Sequence, residues 1–119
     1  MKEMQMGQGE KQFAELIWER EPISTVELAR LGEERLDWKK TTSYTVLKRL
    51  CDKGIFQNVS GQVTSLISRQ EFFTLQSQKF VDETFGGSLP AFLSAFTAKK
   101  NLTEEELAFL HKIIKEQEE

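Results

Sequence analysis

The sequence predicts a mainly α-helical protein carrying one small β-hairpin, and three observations support this. Three short amphipathic stretches with tight connections occupy residues 8–54. The apolar period then changes from helical to extended over residues 55–60 and 63–67, on either side of a Ser60-Gly61-Gln62 turn. From Ser68 onward the spacing is helical again and rich in phenylalanine.

The first helix starts at Gln8. Phe13, Leu16 and Ile17 line one face, with Arg20 at its end and Trp18 beside it. Pro22 closes the segment, because the residue before a proline avoids the helical region. Residues 1–7 are read as frayed. Ile23-Ser24-Thr25 makes a short extended lead-in, and Ser24 with Glu27 has the spacing of a capping box, so a second helix begins near Thr25. Its apolar face is assigned to Val26, Leu28, Ala29 and Leu31, and its end to residues 32–35. The third helix begins near Thr41. Val46, Leu47 and Leu50 share one side of it, while Thr41, Thr45, Lys48 and Asp52 share the other. Gly54, after Lys53, stands where a helix stop belongs.

Residues 39–53 hold five Lys/Arg and one Asp, a local net charge of +4 in a chain whose net charge is −3. The acidic excess lies elsewhere: residues 1–67 balance at ten basic and ten acidic side chains, and residues 68–119 carry six basic and nine acidic. A basic, hydroxyl-rich third helix followed by strand, turn and strand is the order of a winged helix-turn-helix. In that arrangement the third helix reads DNA. Lys39, Lys40, Lys48 and Lys53 are expected to meet phosphate, and Thr and Tyr hydroxyls to reach phosphate or base edges. The turn at residues 60–62, the tip of the wing, carries no Lys or Arg.

After the hairpin, one helix spans residues 69–85 and stops at Gly86-Gly87. Ser88 caps the next, with Pro90 in its first turn, and Phe92, Leu93 and Phe96 follow at helical spacing. Thr103 and Glu106 form a second capping box, and Leu107, Leu110, Ile113 and Ile114 make the last stripe. The closing KEQEE is read as solvated. A winged-helix unit is already closed by its own elements, so these helices are assigned to a symmetric homodimer interface. Phe80, Phe85, Leu89, Phe92, Leu93, Phe96, Leu107, Leu110 and Ile114 are its candidate residues. The expected division is residues 8–68 for DNA binding and 69–119 for dimerisation. A small ligand pocket between the last helices stays open as an alternative.

No apolar run is long enough to span a membrane, and the first residues lack the apolar core of a secretory signal. Cys51 is the single cysteine and His111 the single histidine, so no disulfide framework and no metal cluster is expected, nor any cofactor. A cytoplasmic protein follows. Cys51 is expected half-buried, with redox sensing open because Arg49 and Lys53 are near in sequence. Trp38 is read as a packing anchor. No Ser/His/Asp set, glycine-rich phosphate loop or glycine-flanked nucleophile appears, so enzyme activity is not expected. A winged helix used for protein–protein contact is the competing reading, favoured by the uncharged wing.

Several segments together resemble a known family. They are Ala14-Glu15-Leu16-Ile17-Trp18, then Trp38 with the run Thr41-Thr42-Ser43-Tyr44-Thr45-Val46-Leu47-Lys48-Arg49-Leu50, then Lys53-Gly54, the Gly86-Gly87 break, Phe92-Leu93-Ser94-Ala95-Phe96 and Asn101-Leu102-Thr103. Over residues 8–116 the chain resembles the BlaI/MecI, or penicillinase-repressor, family of winged-helix regulators. The resemblance implies a homodimeric repressor bound to a palindromic double-stranded DNA operator. It places Thr41, Thr42, Tyr44 and Thr45 on the DNA-facing side, with Arg49 nearby. The best-known members carry basic residues where this chain has Thr41 and Tyr44, so an operator of its own is expected. The family is released from DNA when a membrane sensor-protease cuts its fifth helix. The matching bond is Ala95-Phe96, with Ala95 standing where the penicillinase repressors have Asn. A copper-responsive branch has a Cys-x-Cys tail, which this chain lacks.

Overall fold

The computed structural model describes residues 5–118. Its elements run α1 (Gln8–Arg20), β1 (Ile23–Ser24), α2 (Thr25–Leu36), α3 (Lys40–Asp52), β2 (Phe56–Val59), β3 (Gln62–Ser65), α4 (Arg69–Phe85), α5 (Leu89–Thr97) and α6 (Glu104–Glu118). This is a winged helix-turn-helix followed by C-terminal helices, the predicted class. The antiparallel sheet has the order β1-β3-β2.

The lead-in at Ile23-Ser24 is therefore a third strand. Ile23 pairs with Val63 and Ser24 with Gln62. Two residues cannot announce themselves as a strand, because their partner lies about forty positions downstream. The hairpin turns through Ser60 and Gly61, both at positive φ, between the paired Val59 and Gln62. β3 ends at Ser65, earlier than the sequence suggests. Beyond it, Leu66 and Ile67 both donate their N–H to the one carbonyl of Ile55, which takes them out of the ladder.

The core gathers Phe13 and Ile17 of α1, Leu28 of α2, Leu50 of α3, and Ile55, Phe56 and Val63 around the sheet. Phe72 of α4 joins them, fully buried. Trp18 ties this end together: its indole N–H donates to the Ile67 carbonyl at 3.1 Å, and its ring packs 5.2 Å from Phe56 and 5.7 Å from Phe72. Val26, assigned above to the apolar face of α2, is 72% exposed. It precedes Leu28 by two residues, which puts it on the opposite side of the helix.

The frayed reading of residues 1–7 needs correction over the part that is described. Residues 1–4 lie outside the described residues, but Met6 is buried against the core. Lys53, at the end of α3, donates to the Gln5 carbonyl at 2.6 Å and to Glu10 Oε2 at 2.8 Å. Lys53 was expected to meet phosphate. It is instead three-quarters buried in an ion pair within the fold, its side chain only 22% exposed.

α2 and α3 pack at very close range. A Cβ on Gly32 would collide with Ser43 Oγ, and Phe13 lies 3.6 Å away on the same side. Ser43 is buried, and its hydroxyl has no hydrogen-bond partner among the described residues.

Compactness divides the chain into Met1–Ser77 and Gln78–Glu119. In the second unit, Gly86 and Gly87 both have positive φ, a conformation that glycine adopts without a Cβ penalty, and this breaks the chain between α4 and α5. Ser88 Oγ then caps α5 by accepting from Ala91 N–H at 3.0 Å. The capping box of α6 is complete: Glu106 accepts from Thr103 N–H at 2.8 Å, and Thr103 Oγ1 accepts from Glu106 N–H at 3.1 Å. The closing residues continue α6 to Glu118 and are exposed, and Glu119 lies outside the described residues.

Two outcomes follow from this packing. Gly32→Ala gains about 1 kcal/mol in helix propensity and loses about 1–3 kcal/mol to overpacking, so it lowers the Tm by several degrees. Gly32→Ala with Ser43→Ala removes the colliding oxygen and leaves an ordinary 3.5 Å contact to the Ser43 Cβ. The double variant therefore melts at or above the wild-type temperature, and a melt as low as that of the single variant would refute the account.

The second outcome concerns Glu10. Burial works against its charged form, but hydrogen bonds from Lys53 and the Gly7 N–H, with the Lys53 and Arg49 charges, outweigh this and hold the carboxyl below its ordinary value. The folded pKa lies below the unfolded one, so the contribution is complete above the unfolded value and is lost as pH falls through the folded value. Glu10→Gln is expected to cost about 1 kcal/mol in urea unfolding at pH 7 and progressively less toward pH 3. An equal gap at both pH values would speak against the pair.

Candidate nucleic-acid interface

α3 is held from three sides. Asp37 ends α2 in the left-handed region, at φ 57, and the Trp38 N–H returns to the Gly32 carbonyl at 3.1 Å. Aspartate tolerates that conformation better than most residues. Trp38 then packs on Phe13 at 5.2 Å between ring centroids and lies against Gly9, so it is the anchor the sequence suggested. Ser43, Val46, Leu47 and Leu50 bury the inner face. At the far end, the Ile55 N–H returns to the Leu50 carbonyl and Lys53 is locked to Glu10.

That leaves an outer face of Thr41, Thr42, Tyr44, Thr45, Lys48 and Arg49, all exposed, preceded by exposed Lys39 and Lys40. Thr41, Thr42, Thr45 and Arg49, with Val46 at the floor, line a shallow depression of about 260 Å³. The Thr45 hydroxyl donates to the Thr41 carbonyl at 2.8 Å. Lys48 reaches Asp52 at 3.2 Å with both side chains mostly solvated, a contact of small energy that phosphate can replace. Among the described residues, the cations this region leaves exposed are thus Lys39, Lys40, Lys48 and Arg49.

The wing offers polar groups without charge. Gln57 Nε2 donates to Thr64 Oγ1 at 3.1 Å, Asn58 Oδ1 accepts from the Gly61 N–H at 3.0 Å, and Val59 is exposed. Cys51 is half-buried, as expected. Burial and the Asp52 charge push its thiol up, and only Lys48 opposes them, so the thiolate required of a redox sensor is disfavoured. Lys53, which suggested the opposite, faces Glu10.

The second unit presents apolar side chains to solvent. No residue of α5 or α6 is buried. Phe80, Leu89, Phe96, Leu107 and Ile114 are exposed, and Phe85, Phe92, Leu93 and Leu110 are partly covered. Phe80, Phe85, Phe92 and Phe96 form a chain of ring contacts, closest at 5.5 Å between Phe85 and Phe92. A groove of about 480 Å³ lies between α5 and α6, lined by Phe92, Leu93, Phe96, Leu102, Phe109 and Leu110 together with Glu105 and Glu106. Phe109 was missed in the sequence although it is 62% exposed. Its spacing from Leu102, Glu105 and Glu106 puts it on the groove side, a stripe parallel to the one through Leu107, Leu110 and Ile114. Ala95 and Phe96 both lie within α5 and are exposed. His111 is exposed on α6, and among the described residues no three His, Cys, Asp or Glu side chains gather as a metal site. No helix among the described residues is long and apolar enough to cross a membrane.

Comparison with known proteins agrees with this arrangement. The family described as penicillinase repressor matches residues 6–116. The penicillinase repressor of Bacillus licheniformis is 26% identical over 116 residues, covering 94% of this chain and 91% of that protein. The methicillin resistance regulatory protein MecI of Staphylococcus aureus is 23% identical over 117 residues, covering 95% of each. The match runs through both units, from Met6 in the core into the last turn of α6, and on it this chain belongs to the penicillinase repressor family of transcriptional regulators.

Proposed function

We propose that the chain represses transcription as a homodimer that binds a palindromic double-stranded DNA operator through α3. The observation that carries this reading is the outer face of α3. It holds Thr41, Thr42, Tyr44, Thr45, Lys48 and Arg49, exposed on a helix whose inner face is locked into the core. Lys39, Lys40 and Lys48 supply phosphate contacts that set register, and the Thr, Tyr and Arg49 side chains supply base-edge contacts. The names of the two relatives, a repressor and a resistance regulatory protein, support the same reading.

The homodimer reading rests on the second unit. Side chains as large as Phe109 and Ile114, 62% and 55% exposed, are costly to leave in water, at about 25 cal/mol per Å² of apolar surface. A second copy covers the same face on both subunits, and its two-fold axis matches a palindrome. The same family membership supports control by a sensor-protease as part of this reading, with Ala95-Phe96 as the candidate bond, although Ala95 replaces the Asn of the penicillinase repressors. That bond lies inside α5, so a protease needs the helix locally unwound.

A gel shift on DNA from upstream of the chain's own gene should give a specific complex that weakens steeply with salt. Lys48→Ala is expected to lower the log–log salt slope by about 0.9. Absence of any specific complex at low salt, with another protein still bound by Lys48→Ala and Arg49→Ala variants, would replace this reading with a protein-contact module. In sedimentation the full chain should run as a dimer at micromolar concentration. Phe109→Glu with Ile114→Glu should shift it to monomer with the helical signal retained. A variant that stays dimeric would place the interface elsewhere.

A further inference from the structure

The proposed DNA-reading face contains one side chain whose chemistry is already partly committed. Thr45 Oγ1 donates its only hydrogen to the Thr41 carbonyl one turn back, at 2.8 Å. A hydroxyl held this way cannot also donate to a phosphate oxygen or to a base acceptor such as guanine O6 or adenine N7. The bond fixes χ1 and turns the Cγ2 methyl away from the carbonyl. Around it, Thr41, Thr42 and Arg49 line the same shallow depression of about 260 Å³, with the buried Val46 beneath. The depression therefore offers threonine methyls, the hydroxyls of Thr41 and Thr42, one guanidinium and, among its lining residues, no carboxylate.

The edge of a base pair that suits such a surface is thymine, whose C5-methyl projects into the major groove. Cytosine presents an amino donor there, which in this depression meets neutral threonine oxygens and no carboxylate to accept it. We infer that Thr45 is a specificity-determining residue that selects thymine at one position of each operator half-site by methyl–methyl contact. This rests on the DNA-binding reading above and names what one residue of that face recognises. Arg49, one turn further along α3, lines the same depression and would meet the neighbouring base edge or a phosphate.

The test uses the full-length protein and a duplex selected for specific binding from random sequence. Each thymine of a half-site is replaced in turn by deoxyuridine, which removes the C5-methyl and leaves every hydrogen-bonding group in place. The wild type is expected to lose about fivefold in affinity at one position, the size of one buried methyl contact. Thr45→Ser keeps the hydroxyl and its back-bond but lacks the methyl, so it should bind the thymine duplex about fivefold more weakly and be indifferent to deoxyuridine at that position. Thr45→Val keeps methyl groups and loses the hydroxyl, so it should retain the thymine preference. Circular dichroism melts of both variants verify folding, and the site is exposed. A wild type that binds thymine and deoxyuridine duplexes equally at every position overturns the inference, and so does a Thr45→Ser variant that still discriminates. If selection yields no specific duplex, the DNA-binding reading fails, and this inference with it.

Discussion

The close approach of α2 and α3 over Phe13 is the constraint on which the rest of the structure depends. Gly32 has no side chain because Ser43 Oγ occupies the space where its Cβ would be. Phe13, fully buried, closes the junction from α1, and Trp38 packs on the same ring from the start of α3. Three residues from three helices, with Trp38 in the link between α2 and α3, thus set the depth and direction at which α3 leaves the core. If the two helices were further apart, α3 would tilt as a body, and the face carrying Thr41, Thr42, Tyr44, Thr45 and Arg49 would point in a different direction from the core. The Ser43 hydroxyl, which has no hydrogen-bond partner among the described residues, lies at this junction, where an alanine would be the less costly choice for burial.

The second anchor of α3 is electrostatic and lies at its other end. Lys53 is drawn inward by Glu10 and the Gln5 carbonyl, which fastens the residues before α1 to the end of α3. The basic run of residues 39–53 is thereby divided by burial. Four cations remain on the outside and one becomes part of the fold. The same division explains why Cys51, flanked in sequence by basic residues, has its thiol pushed up: burial and Asp52 act on it directly, and Lys53 points elsewhere.

The two units contrast in where their apolar side chains go. In Met1–Ser77, three helices and three strands bury one another, and Phe72 brings the first turns of α4 into that core. In Gln78–Glu119 the helices are well terminated, by Gly86-Gly87, Ser88 and the Thr103–Glu106 box, yet none of their residues in α5 or α6 is buried. Local signals define the helices here without supplying a core, which is the ground for proposing that a partner copy covers this surface.

Local chemistry determined much of this in the sequence alone. Proline and glycine punctuation, the Ser24 and Thr103 caps and the period of the apolar residues placed every helix within a few residues and the hairpin at its turn, because these signals act between near neighbours. The face of α3 that carries the candidate site residues was readable for the same reason: helical spacing separates Val46, Leu47 and Leu50 from Thr41, Thr45 and Lys48. Tertiary structure alone decided what depends on distant partners. β1 exists only through its pairing with β3, Lys53 is structural only because Glu10 is near, and Met6 is core only because residues distant in the chain form the cluster it joins. Val26 belongs with this group: an apolar residue on a helix reads as core until the packed side of that helix is known. Pairing and burial are set by residues far apart in the chain, and no local pattern records them.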